Sequence, residues 1–289
     1  MATPGRGRGR SRPPSRRRSQ RRGARNRGSD LGARILSAIP ASIFAIFIVV
    51  QGGPVFAAGA VALGVVCLHE LFAMTAGIRP VKLAGFITLV ALAVAALYGT
   101  QFHVLLVQVA SIPLLFGLAL AQPRRDGITL SMAVTVFAVT WIGLAIAHAV
   151  LLRELPHGDG ILIDVLVGTF LGDTGAYLGG RAFGQRPLST RISPNKTREG
   201  LLFGMATAIA AVWFAGLYQD WLSGTHALII GLGVALAAPL GDLFESAIKR
   251  DIGTKDTGRL FGPHGGALDR LDAVLFTLVV GYYVWSALL

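Results

Sequence analysis

Apolar residues dominate the chain from about residue 34 onward, in stretches too long for the buried elements of an ordinary soluble domain. Nine stretches are long enough, or nearly so, to cross a bilayer as helices: 34–51, 54–76, 83–99, 103–121, 128–152, 161–179, 200–219, 226–247 and 271–288. Gly and Pro interrupt several of them, which membrane helices tolerate because neighbouring helices re-satisfy the freed backbone groups. The pattern predicts an all-α polytopic membrane protein with about nine transmembrane helices. No internal repeat is evident, so an inverted-repeat transporter gains no support.

Residues 1–30 break the pattern. They are Arg, Gly, Ser and Pro with almost nothing apolar, too little to offset the entropy of ordering, which predicts a disordered basic tail ahead of a transmembrane domain over 31–289. A cleaved signal peptide is the rival reading. The tail is long for one, Pro40 lies inside the first apolar stretch, and eight more stretches come after it.

Charge sharpens this division. Residues 1–34 hold 12 of the 27 Lys and Arg and a single acid, Asp30, whereas the other 255 residues carry 15 basic and 14 acidic groups. The basicity thus belongs to the tail. A nucleic-acid-binding fold, which spreads basic residues over a folded face, is a poor reading of the body, and no specific nucleic-acid partner is expected. With the tail inside, 26 of the 27 basic residues fall on its side of the membrane and only Arg153 on the other. By the positive-inside bias the amino terminus is cytoplasmic and the carboxyl terminus outside, in the cell membrane. Cys67 is the one cysteine, so an internal disulfide and a cysteine-built zinc site are both excluded.

Polar residues concentrate in two loops on the basic side, 179–199 and 249–272, which marks these loops and the adjoining helix ends as the candidate site. In the second, Asp256, Asp269 and Asp272 are interleaved with Lys249, Arg250, Lys255, Arg259 and Arg270. Asp269 and Asp272 lie three apart at the start of the last stretch and so share a helix face. Carboxylates of this kind suit Mg²⁺, a hard cation that prefers oxygen ligands and substrate phosphates. The turn around His264, Gly265 and Gly266 can aim backbone N–H groups at an anion. In the first loop, Ser193-Pro194-Asn195-Lys196-Thr197-Arg198-Glu199-Gly200 opens a helix, a place suited to anions. It lacks the glycines of a Walker A loop, so a P-loop ATPase is unsupported. Within the helices, Glu70, Asp173, Asp242 and Glu245 must face protein or water rather than lipid. Glu70, beside His69, reads better as a polar group satisfied between helices than as a catalyst.

Ser246-Ala247-Ile248-Lys249-Arg250, Lys255-Asp256, His264-Gly265-Gly266 and Leu268-Asp269-Arg270-Leu271-Asp272 together resemble the signature of the phosphatidate cytidylyltransferases (CDP-diacylglycerol synthases). The segments 193–200 and 173–181 are similar to two further family segments, and the resemblance covers about residues 31–289. Two departures stand out: Gly262 and Pro263 are exchanged relative to the usual order, and Ala267 replaces a larger aliphatic residue. The resemblance implies transfer from CTP to phosphatidic acid, giving CDP-diacylglycerol and pyrophosphate for phospholipid synthesis, by a protein embedded among membrane lipids and paired as a homodimer. It implies Mg²⁺ held by Asp256, Asp269 and Asp272, with Asp173 and Asp242 as further candidates; whether a second, monovalent ion assists is open. Lys249, Arg250 and Arg270 would act on the reacting phosphates beside Asp256 and Asp269. Ser193, Lys196, Thr197, Glu199, Ser246, Lys255, His264, Gly265 and Gly266 would bind substrate. Two alternatives stand beside this: a CTP-dependent polyprenol or lipid kinase, and an ion-coupled transporter using the intramembrane acids.

Overall fold

The computed structural model describes residues 43, 45–123, 126–258 and 265–289. The basic tail, most of the first apolar stretch, Arg124, Arg125 and the 259–264 segment with Arg259, Gly262, Pro263 and His264 lie outside the described residues. From Ile48 onward the chain forms one unit. Its helices in chain order are α1 (Gly53–Met74), α2 (Lys82–Tyr98), α3 (Gln101–Leu120), α4 (Ile128–Glu154), α5 (Gly158–Phe183), α6 (Arg198–Gly216), α7 (Gly224–Ile252) and α8 (Leu268–Leu288). Seven of them are long and apolar enough to span a membrane, and α2 is a shorter apolar helix. These are the last eight of the nine expected stretches. The first reaches the described residues only at its end, where 45–51 are helical. The protein is an integral membrane protein.

Helix ends coincide with local signals. Pro54 sits in the first turn of α1, where its missing N–H costs nothing. Thr100 and His103 form a reciprocal capping box on α3, and Ser223 accepts the His226 N–H at the start of α7. Gly253 closes α7 in the left-handed region (φ 79°), where a side chain would be strained. Between α5 and α6 the expected loop is narrower and more ordered than its sequence bounds. Residues 179–183 still belong to α5, and β1 (Pro187–Ser189) pairs antiparallel with β2 (Ser193–Thr197), matching Pro187 with Thr197 and Ser189 with Ser193. Likewise α7 runs past Lys249 and Arg250 to Ile252, and α8 begins at Leu268, so part of the second expected loop is helix.

Two packing features shape the polar end of the bundle. First, α5 and α6 meet along small residues, because a hydrophobic drive between helices is absent in lipid and close backbone approach must replace it. A Cβ added at Gly172 would lie 3.1 Å from the Ala208 Cβ, and one at Gly204 would lie 2.9 Å from the Gly172 carbonyl oxygen. Second, α7 has 29 residues, about 43 Å of helix, against a hydrocarbon thickness of about 30 Å. It therefore overruns the apolar layer and can carry charge on its last turns. Gly231 and Gly233 of α7 pack on Ile209 and on Val280 and Val284 of the same chain. Apolar side chains of α1, α2 and α4, including Phe72, Leu89, Leu92 and Ile142, fill the core beside this assembly.

Candidate active site

The β1–β2 ribbon and the ends of α5, α7 and α8 converge at one end of the bundle. Arg250 of α7 lies against the ribbon, its Nε 3.5 Å from the Ile192 carbonyl. Lys196, the penultimate residue of β2, ion-pairs with Asp242 of α7, and the Ser246 hydroxyl, one turn along α7, lies 3.5 Å from Asp242 Oδ1. Burial pulls the Lys196 ammonium below the ordinary lysine range; Asp272 and Asp173 oppose that shift, Lys249 adds to it, and Glu245 opposes it. One ammonium thus stands among carboxylates from α5, α7 and α8.

Beside it, Lys249 bridges two acids, pairing with Glu245 one turn earlier on α7 and with Asp269 Oδ1 of α8 at 2.8 Å. Glu245 is buried, and Asp272 of α8 lies against it. Asp269 has a second task. Its Oδ2 accepts the Gly266 N–H at 2.7 Å, the Thr257 N–H at 2.9 Å and the Thr257 hydroxyl at 3.0 Å. Gly265 is in the left-handed region (φ 85°), and a Cβ there would lie 2.6 Å from Asp269 Oδ2. The close return of this backbone onto Asp269 needs a glycine.

A cavity of about 590 Å³ opens between α5, α6 and α7 beside the ribbon. Asp173, Arg181, Ser193, Asn195, Lys196 and Asp242 line its polar part; Met205, Ala208, Ala235, Ala238 and Pro239 line an apolar wall. Pro239 has no N–H to give the Ala235 carbonyl, which leaves a backbone acceptor at that wall.

The expected site residues divide accordingly. Asp173, Asp242, Asp269, Asp272, Lys196, Lys249, Ser193 and Ser246 come together. Thr197 is engaged as the cap of α6, accepting the Gly200 N–H at 3.1 Å. Glu199 accepts the N–H groups of Gln185 and Arg186 at 3.1 and 3.2 Å and so anchors the ribbon. Lys255 and Asp256 are exposed just beyond the end of α7, and Arg270 is exposed on the first turn of α8. Gly265 and Gly266 are buried behind Asp269, and His264 lies outside the described residues. Arg181, Asn195 and Tyr177 also line the cavity; they lie in the family-like segments 173–181 and 193–200 but are not among the expected binding residues. Thr257 escapes sequence reading in the same way; a hydroxyl in a loop carries no signal of its own.

Among the described residues, no three Asp, Glu, His or Cys side chains enclose a metal position by themselves. Mg²⁺ does not need such a cage, since it takes one or two carboxylates and completes its shell with water and substrate phosphate. Asp173, Asp242 and Asp272 fit that mode, because they already surround a cationic group. Asp256 stands apart on the exposed loop, and Asp269 is occupied by the Thr257 and Gly266 backbone.

A profile of the cytidylyltransferase family matches residues 32–288. The phosphatidate cytidylyltransferase of Bacillus subtilis is 31% identical over 264 residues, 88% of this chain and 97% of that protein. That of Mycobacterium leprae is 37% identical over 175 residues, 59% of this chain and 54% of the relative. That of Helicobacter pylori J99 is 44% identical over 121 residues, 41% of this chain and 44% of the relative. The matched region thus spans about half the length of the mycobacterial and Helicobacter relatives and nearly all of the Bacillus protein.

Proposed function

The chain belongs to the cytidylyltransferase family, and from that premise we propose that it is a CTP:phosphatidate cytidylyltransferase. The observation that carries the reading is the two-sided cavity between α5, α6 and α7. Cations and carboxylates line one part of it and an apolar wall the other, which suits a substrate with a phosphate head and acyl chains. The end of the bundle that holds the ribbon is also the basic one, so the reading places it in the cytoplasm, where CTP is found.

In the reaction, a non-bridging oxygen of phosphatidate bonds to the α-phosphorus of CTP. The bond from that phosphorus to the oxygen bridging it to the β-phosphate breaks, and pyrophosphate leaves with the electron pair. A phosphate monoester has its second pKa near about 6, so the nucleophile is already largely dianionic and needs little general-base help. The barrier is electrostatic: a dianion must approach a triphosphate. Lys196 and Arg181, which line the cavity, would hold the reacting phosphates together, and Lys249 balances the carboxylates of Glu245 and Asp269 behind them. Mg²⁺, held by Asp242 and Asp272 with Asp173 nearby, would offset the charge building on the leaving pyrophosphate.

The test is product analysis on purified protein in detergent with CTP labelled in the α-phosphate, phosphatidic acid and Mg²⁺. CDP-diacylglycerol and pyrophosphate that disappear with EDTA and return with added Mg²⁺ are the expected result. A phosphorylated lipid with free CDP would instead establish a lipid kinase, and no lipid product from folded protein would overturn the enzymatic reading.

A further inference from the structure

Glu70 is far from the polar loops in sequence and lies in the apolar helix α1, yet it is buried against the start of α8. Its Oε1 accepts the Ala267 N–H at 2.9 Å; its Oε2 accepts the Leu268 N–H at 2.9 Å and contacts the Thr257 hydroxyl at 3.1 Å. Ala267 and Leu268 are the cap and first residue of α8. Their N–H groups are among those a helix leaves without internal partners, and they carry the positive end of its dipole. A carboxylate from another helix is a strong partner for them.

The Thr257 hydroxyl has one proton and touches two carboxylates, Glu70 Oε2 and Asp269 Oδ2. It joins the α1 acid to the acid that also binds Lys249. Backbone packs directly onto Glu70: a Cβ at Gly258 would lie 2.5 Å from Oε1, and one at Gly266 would overlap Oε2. Glu70 is not among the residues lining the substrate cavity.

We propose that Glu70 is a positioning residue of the active site: it anchors the start of α8 and the Thr257 side of the loop, and thereby sets the depth and rotation at which α8 presents Asp269 and Asp272. The inference rests on the cytidylyltransferase reading. It goes beyond that reading by assigning a role in the chemistry to a helix that contributes nothing to the cavity. The cavity itself is built by α5, α6 and α7, so disturbing Glu70 should spare lipid binding while disturbing the carboxylates that face Lys196.

The variant is Glu70→Gln, which keeps the size but turns one acceptor into a donor aimed at an N–H group. The loss of a charge-assisted bond predicts a fall in kcat of roughly 10- to 100-fold, with a rise in the Mg²⁺ concentration giving half-maximal rate. KM for phosphatidic acid should stay within roughly 2-fold, because the apolar wall is untouched. Thr257→Val should lower kcat too, and the double variant should lose less than the product of the two single losses, since both act through one network. A second readout needs no activity. Trypsin should cut after exposed Lys255 faster in Glu70→Gln than in the unaltered protein, as the released loop opens more often.

A Glu70→Gln protein whose folded fraction keeps the normal kcat and Mg²⁺ dependence would overturn the proposal, even if it melted lower. Equal loss from a raised phosphatidate KM would also overturn it. If the unaltered protein makes no CDP-diacylglycerol, the functional reading fails by itself. The tryptic comparison still decides the anchoring of the loop, and unchanged cleavage at Lys255 would refute that anchoring.

Discussion

Replacing Asp269 by Asn separates two jobs that neighbouring carboxylates of α8 perform. The Asp269 carboxylate receives four donors: Lys249 on Oδ1, and Gly266 N–H, Thr257 N–H and the Thr257 hydroxyl on Oδ2. Asn keeps one oxygen, so either the Lys249 ammonium or the Thr257–Gly266 backbone must face an amide NH₂. Losing two of these bonds, one of them to a charged lysine, at about 1–3 kcal/mol each costs about 3 kcal/mol or more. For a chain of this size each kcal/mol lowers the melting midpoint by about 2–4 °C, so in detergent it should fall by roughly 6–12 °C. Among the described residues, Asp272 takes one backbone donor, the adjacent Ala273 N–H at 2.8 Å, and its side chain lies against Glu245 and faces Lys196. Asp272→Asn should therefore leave the midpoint within about 2 °C and still abolish most of the transfer. The assay is a thermal melt beside the CDP-diacylglycerol turnover measurement, on both variants. An Asp269→Asn protein as stable as the unaltered chain, or an Asp272→Asn protein that melts far lower, would refute this division of labour.

The same structure sets further outcomes. Burial lowers the affinity of Lys196 for its proton, so the ammonium is lost at a pH below that of a free lysine, near about 10.4. Activity that needs this charge should fall on the alkaline side below that range, and Lys196→Arg, whose guanidinium stays protonated, should move the alkaline limb upward; an unmoved limb would show that Lys196 does not set it. At the α5–α6 seam, Gly204→Ala puts a methyl 2.7 Å from the Ala176 Cβ and should cost about 1–3 kcal/mol by overpacking. Gly117→Ala in α3 meets nothing within 4 Å and should be neutral or stabilising by up to about 1 kcal/mol; equal melting of the two variants would contradict the seam.

Much of the architecture was legible because membrane helices are specified by length and apolarity alone. The expected bounds 161–179 and 226–247 fell short of α5 (Gly158–Phe183) and α7 (Gly224–Ile252) for a physical reason. Hydropathy marks where a helix leaves the hydrocarbon, whereas hydrogen bonding carries it on until a cap intervenes. For α7 that cap is Gly253, and the charged turns before it read as loop by composition while they are helix by geometry. The β1–β2 ribbon left no hydropathy signal, since its residues are mostly small, polar or proline. It is held from outside itself by Glu199 on Gln185 and Arg186.

The site was legible at the residues where charge density is high, and illegible where a charge is used to shape backbone. Asp256 and Asp269 look alike in sequence, two acids in a basic loop, yet one is exposed and the other is enclosed by four donors. What separates them is the return of the chain at Gly265 and Gly266, which only the fold reveals. Glu70 shows the converse. An acid in an apolar helix states that donors must exist for it, without naming them. Its partners are backbone N–H groups, present at every residue but Pro, so no side-chain pattern could have pointed to Ala267 and Leu268. The groups that hold a catalytic helix in place can thus be invisible to motif reading even when the residues they position are plain. For this protein the missing link runs through a carboxylate that reads, in sequence, as merely satisfied. It is satisfied, and the partners that satisfy it are the start of the helix that carries Asp269 and Asp272.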